Sequence, residues 1–99
     1  MKVMRPAAYI MASGRNGTLY TGVTSNLPQR VWQHRENITG GFTQRYGCKM
    51  LVWYEMAETM EVAIAREKQI KAGSRARKIA LIVGFNPDWQ DLYQGIAQG

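Results

Sequence analysis

Cysteine is nearly missing from this chain, with Cys48 standing alone among 99 residues. No internal disulfide can form, and a reducing, cytoplasmic setting is expected. A lone cysteine beside a predicted strand reads as a small core residue. Long apolar runs are lacking too. The longest, Ile79 to Phe85, falls far short of the ~20 residues that span a bilayer. Met1 to Ala8 holds no apolar stretch of the signal-peptide kind. No helix pairs a broad apolar face with flanking Lys and Arg, so a membrane is not expected as a partner. Acidic residues are the minority, 7 against 13 Lys and Arg, and the net charge of +6 favours a polyanion. Repeats, linkers and low-complexity segments are absent, which at this length implies one domain over 1–99 with one modest core.

What is present suits a packed α+β chain. The hydrophobic fraction is 45%, and Trp32, Trp53 and Trp89 offer bulky pieces for the core. Residues 8–13 read as a strand and 18–24 as its hairpin partner, across the turn-forming Gly14-Arg15-Asn16-Gly17. Asn26 caps a helix with Leu27 and Pro28 in its first turn, running to about Glu36. Asn37 to Arg45, with Gly40-Gly41, reads as a loop, and 49–56 as a third strand. Thr59 caps a helix that stops near Gly73, a candidate C′ glycine, and Ser74 starts another that ends around Gly84. Asn86-Pro87-Asp88 reads as the opening of a short last helix carrying Trp89 and Leu92. The order is β-β-α-β-α-α-α, with a small three-stranded sheet.

Polar residues stand where this pattern wants apolar ones. On the helix at 59–72 the stripe is Met60, Ala63, Ile64 and Ile70, and Glu67 falls in its middle. A carboxylate aimed at a core is costly unless it meets a cation, a metal or hydrogen-bond donors. Three readings stay open: an ion pair, a rotated helix that exposes Glu67, or a metal ligand at the core's edge. On the earlier helix the stripe is Leu27, Val31 and, if the helix persists, Ile38. His34 lies within it, with Arg30 one turn earlier, and such an i, i+4 pair can face one phosphate. A satisfied core histidine gives the same pattern. Tyr9 and Tyr20 share a sheet face if 14–17 is a four-residue loop, and oppose each other if it has five residues. Gly22, inside the second strand, signals close approach of backbone or ligand.

In order and spacing, Tyr9-Ile10-Met11, Leu19-Tyr20-Thr21-Gly22, Asn26-Leu27-Pro28-Gln29-Arg30, His34 and Ala65-Arg66-Glu67-Lys68-Gln69-Ile70-Lys71 resemble the GIY-YIG nuclease domain. Asn86-Pro87-Asp88-Trp89-Gln90-Asp91-Leu92 is similar to the tail of the small stand-alone bacterial members. The resemblance implies a GIY-YIG endonuclease-like α+β fold around a three-stranded antiparallel sheet. By position it implies Tyr9, Tyr20, Arg30, His34 and Glu67 as catalytic residues, with Glu67 as ligand of Mg²⁺ or Mn²⁺. Gly22 and Asn86 take structural roles. Two small residues, Ala7 and Ala8, replace Gly-Ile before Tyr9, and Thr21 replaces the middle residue of the second motif. Val23 stands where the DNA-repair incision branch has a lysine, which argues against that branch.

The implied activity is metal-dependent endonucleolytic hydrolysis of phosphodiester bonds in DNA. One carboxylate suffices to hold Mg²⁺ when waters and a phosphate oxygen complete the octahedron. Arg30, always cationic, suits charge stabilisation at phosphorus. A tyrosine serves as base only if cations lower its pKa. Phosphate contacts are expected from Arg35, Arg45, Arg66, Lys68, Lys71, Arg75, Arg77 and Lys78, although a solvated basic surface would look the same. No base-reading module is apparent, so targeting would come from DNA shape, a homodimer or another protein. Nothing in the motif separates DNA from RNA. The competing readings are an RNA-processing nuclease and a non-catalytic nucleic-acid-binding module of the same fold.

Overall fold

The computed structural model describes residues 5–36, 38 and 46–97. The elements are β1 (Ala7–Ala12), β2 (Leu19–Thr24), α1 (Leu27–Arg35), β3 (Met50–Met56), α2 (Met60–Ala72), α3 (Arg75–Phe85) and α4 (Tyr93–Ala97). The three strands form one antiparallel sheet in the order β2-β1-β3. The fold is α+β, as the sequence predicts. The predicted loop from Asn37 to Arg45 lies, apart from Ile38, outside the described residues.

Alternation along β1 divides the core in two. Ala8, Ile10 and Ala12 pack with Trp53, Ile70 of α2, Ile82 of α3 and Trp89. On the opposite face Ala7, Tyr9 and Met11 pack with Leu27 and Val31 of α1, Cys48 and Leu51, and with Tyr93 and Ile96 of α4. The sheet is therefore covered on both faces. This is why all of β1 is buried.

The turn chemistry sets the hairpin register. Ser13 N donates to Thr18 O at 3.0 Å, Gly17 N donates to Gly14 O at 3.0 Å, and Asn16 takes φ 57°. This closes the four-residue loop and pairs Met11 with Tyr20 and Tyr9 with Gly22. On the other side of β1 the register slips between Ile10 and Met11, so Val52 has no partner in β1. Its carbonyl accepts from Asn86 Nδ2 at 3.2 Å. Beyond β3, Leu92 N donates to Leu51 O at 2.8 Å and Leu51 N to Asp91 Oδ1 at 3.2 Å, which covers part of that strand's outer edge.

The predicted caps form. Asn26, Thr59 and Ser74 side chains accept from the backbone N–H groups of Gln29, Val62 and Arg77. Gly73 ends α2 in an extended conformation (φ −79°) rather than the left-handed one of a C′ glycine. Helix α1 stops at Arg35, so Ile38 is 58% exposed and takes no part in the inward stripe. Trp32, expected in the core, is 46% exposed, because burying Leu27, Val31 and His34 turns it outward. On α2 the inner line is rotated. Ala63 and Ile70 are buried while Met60 and Ile64 are exposed.

The last helix also departs from expectation. Asn86 does not open it: its backbone ends α3 by donating to Ile82 O, and its side chain binds Val52 O and Gln90 O instead of an N-terminal turn. Trp89 sits at φ 55°, incompatible with a helix, because its ring is drawn into the core. Helix α4 starts only at Tyr93, whose N–H donates to Asp91 Oδ1 at 3.1 Å.

Candidate active site

The site is built on the sheet face covered by α1. Tyr9 projects from β1, and diagonal pairing places Tyr20 of β2 beside it, with ring centroids 6.3 Å apart. Leu27 and Val31 anchor α1 on this face and so turn His34 and Arg30, one turn apart, toward the tyrosines. The Tyr9 hydroxyl lies 2.8 Å from His34 Nε2 and accepts from Arg30 Nε at 3.4 Å. In the His34 tautomer with Nε2 unprotonated, the phenol donates to that nitrogen while accepting from Arg30. The His34 ring packs edge-on to Tyr20 at 5.3 Å between centroids. Gly22 completes the group. A Cβ there would lie 2.5 Å from the Tyr9 hydroxyl and 2.6 Å from Cζ, so the close approach signalled in the sequence is that of Tyr9 itself.

Burial sets the protonation states. It raises the Tyr9 pKa to about 12, against the opposing hydrogen bond from Arg30, and the charges of Tyr20 and Glu67 push the same way as burial. His34 is lowered to about 4, first by burial and then by the Arg30 charge, so its imidazole is neutral at neutral pH. Arg30 is raised further, chiefly by its hydrogen bond to Tyr9. The Tyr9 and His34 shifts keep the proton on the phenol and leave the imidazole neutral, with a fixed cation beside the two.

Glu67 approaches from α2, which packs against β2 and β1. Its side chain is 13% exposed, between the buried Ala63 and Ile70, and pairs with Lys71 Nζ at 3.1 Å. The helix therefore does not turn it out to solvent, and an ion pair offsets its charge. Among the described residues no three His, Cys, Asp or Glu side chains gather as a metal cluster. Glu67 would then be the sole protein ligand of a divalent ion. One hard carboxylate oxygen with waters and a phosphate oxygen suits Mg²⁺ or Mn²⁺.

The basic residues do not gather at this site. Arg35 pairs with Asp91 and lies 4.7 Å over the Tyr93 ring, tying α1 to the C-terminal segment. Arg66 pairs with Glu55 at 3.0 Å and stacks on Trp53, and Arg75 donates to the carbonyls of Asn16 and Gly17 in the hairpin turn. Lys71 is held by Glu67. Lys68, Arg77 and Lys78 have no side-chain hydrogen bond or ion pair among the described residues. Arg45 lies outside the described residues. Two positioning contacts were not anticipated from the sequence. Gln33 Oε1 accepts from Arg30 Nη1 at 3.3 Å, an i+3 spacing that was legible. Asp91, which joins Arg35, Leu51 and Tyr93, carried no local signal at all.

A family model described as the GIY-YIG catalytic domain matches residues 6–80. The chain is 32% identical over 91 residues to a UPF0213 protein of Desulfotalea psychrophila, covering 90% of this chain and 83% of that one. It is 34% identical over 68 residues to a UPF0213 protein of Staphylococcus saprophyticus, covering 69% and 83%. The solution NMR structure of a UPF0213 protein from Bacillus halodurans superposes with a TM-score of 0.55 at 25% identity, covering 89% of this chain and 93% of that one.

Proposed function

Since the chain belongs to the GIY-YIG family, a nuclease superfamily, we propose that it is a metal-dependent endonuclease hydrolysing phosphodiester bonds in DNA. The observation that carries this reading is the buried Tyr9 hydroxyl between His34 Nε2 and Arg30 Nε. Phosphodiester hydrolysis needs a base for the attacking water and positive charge around phosphorus. Tyr9 takes the proton of the water as its own passes to His34. Burial opposes that transfer, holding the phenol at about 12 and the imidazole at about 4, so a divalent ion at Glu67 would have to lower Tyr9 for it to proceed. A phenol at about 12 is a poor base alone, and Arg30 is the residue whose hydrogen bond already pulls it down. Arg30 Nη groups can fork onto phosphate oxygens once the Arg30 bonds to Gln33 and Tyr20 are exchanged. A divalent ion bound at Glu67 would supply Lewis-acid polarisation of the phosphate. Tyr20 closes the His34 ring from the side and fixes its plane.

Plasmid DNA, branched DNA and structured RNA, incubated with Mg²⁺ or Mn²⁺, are the substrates for the test, beside Glu67→Gln and Tyr9→Phe. Both substitutions should lower cleavage by at least about 100-fold. Undiminished cutting by Glu67→Gln would refute the metal-site assignment. Binding without cutting, whatever the metal, would favour the non-catalytic module, and cutting of RNA alone would replace the substrate.

A further inference from the structure

On the sheet face opposite Tyr9 and His34, α2 and α3 border a cavity of about 380 Å³ that is open to solvent. Arg66, Gln69, Ile70, Arg77, Lys78 and Leu81 line it. The lining has three cations and no acid. Arg66 is already committed: Glu55 holds it at 3.0 Å, Gln69 accepts from it at 2.6 Å, and its guanidinium lies over Trp53. Arg77 and Lys78 are different. They stand side by side at the start of α3 with no side-chain partner among the described residues. Ile70 and Leu81 belong to the apolar cluster beneath and give the cavity an apolar wall.

The geometry points to a nucleotide-binding site, separate from the candidate active site, between α2 and α3. Unpaired cations beside one another attract a phosphate. A phosphate alone would leave the apolar wall unused. A base can lie against Ile70, Leu81 and the fixed plane of Arg66, since bases stack on guanidinium groups and on apolar side chains. Gln69 offers an amide to a base edge. The volume falls in the usual range of ligand pockets, roughly 300–1,000 Å³, and holds one nucleotide but no duplex. The choice of a nucleotide among anions rests on the proposed nuclease activity. Position agrees with that choice: Arg66, Gln69 and Ile70 line the cavity from α2 and Gly73 from its C-cap, and Glu67 and Lys71 lie on another flank of the same helix. A strand cut near Glu67 can thus leave a terminal nucleotide within one helix width, about 10–12 Å, of this cavity.

Amide chemical-shift titration of ¹⁵N-labelled protein in EDTA, where a metal-dependent nuclease cannot cut, tests the site apart from the activity. The probes are 5′-AMP, adenosine, inorganic phosphate, and a short single strand with a 5′-phosphate or a 5′-hydroxyl. AMP should shift the amides of Gly73, Arg77, Lys78 and Leu81 while leaving Tyr9 and His34 unmoved. It should bind at least tenfold tighter than phosphate or adenosine, and at least tenfold weaker to the R77A/K78A double variant. If the 5′-phosphorylated strand shifts the same amides and the 5′-hydroxyl strand does not, the occupant is a strand end. If AMP alone does so, the occupant is a free nucleotide. Shifts confined to the Tyr9 face, unchanged affinity in R77A/K78A, or phosphate binding as tightly as AMP would each overturn the site. Cleavage failing while AMP binds here would leave the site standing and remove the nuclease activity instead.

Discussion

Gly22 has no side chain, and the Tyr9 ring fills the space that one would occupy. The neighbour is the rigid ring of a buried residue already bound to His34 and Arg30, so it cannot move aside cheaply. Gly22→Ala should cost about 1–3 kcal/mol, the usual penalty for overpacking, and should lower the melting temperature by roughly 5 °C or more. Its larger effect should fall on turnover, because the hydroxyl itself is displaced from its two partners. Thermal unfolding followed by a cleavage assay checks both, and full activity at an unchanged melting temperature would show that Tyr9 has room to shift. At this scale the sequence was informative. A glycine inside a strand, a histidine on an apolar face and a glutamate within a stripe each marked a position near the site. What each one touched was not legible, because contacts between β1, β2 and α1 depend on a register that single residues do not encode.

Among the elements, the segment after α3 shows local signals losing to tertiary ones. Asn86-Pro87-Asp88 has the form of a helix start, but Asn86 finds stronger demand elsewhere. The bulge at Val52 leaves a carbonyl without a partner in β1, and Asn86 Nδ2 satisfies it while also binding Gln90 O at 2.8 Å. Gln90 N returns a bond to Asn86 Oδ1 at 3.0 Å. One side chain thereby joins α3, β3 and the turn that carries Trp89 into the core. Asn86→Ala should cost about 2–4 kcal/mol, since buried backbone groups lose their partners. Asn86→Asp should be at least as harmful, for it keeps the acceptor and sets a carboxylate against two carbonyl oxygens. Urea unfolding of the two variants is the measurement. A loss confined to a few tenths of a kcal/mol would mean that the turn is held by Trp89 alone.

For the molecule as a whole, a neutral histidine inside the fold links stability to pH. His34 titrates near 6.5 when unfolded and at about 4 when folded. Between those values the unfolded chain binds more protons, so stability is fully present above about 6.5 and is lost as pH falls toward 4. The loss should approach 3 kcal/mol. Unfolding followed at pH 7.0, 5.5 and 4.5 should show this slope in the wild type and a flatter one in His34→Gln, the difference separating His34 from the carboxylates. Equal slopes would mean that His34 is not buried in neutral form. Tyr9, raised to about 12, contributes nothing to the slope below pH 9, its effect being lost only as pH climbs above 10. No helix among the described residues is long and apolar enough to cross a membrane, consistent with the short apolar runs of the sequence.

Element order, caps and the α+β class follow from the sequence alone, because each rests on contacts or patterns within a few residues, such as a side chain bonding its own helix start. The hairpin loop is placed by the sequence, but its length of four residues is not. The sequence also set aside the polar residues that did not fit their stripes. Only the tertiary structure decided which of them meet. Tyr9 bonds His34 across 25 positions, Arg35 pairs with Asp91 across 56, and Arg75 reaches the hairpin turn across 58 and 59. Such pairs depend on the sheet register, the bulge beside Met11 and the rotation of α2, each settled by burial summed over whole faces rather than by any local preference. For the same reason the basic run that reads as one surface along the chain is divided in space, some of its cations bound within the fold and Arg77 and Lys78 left facing a cavity.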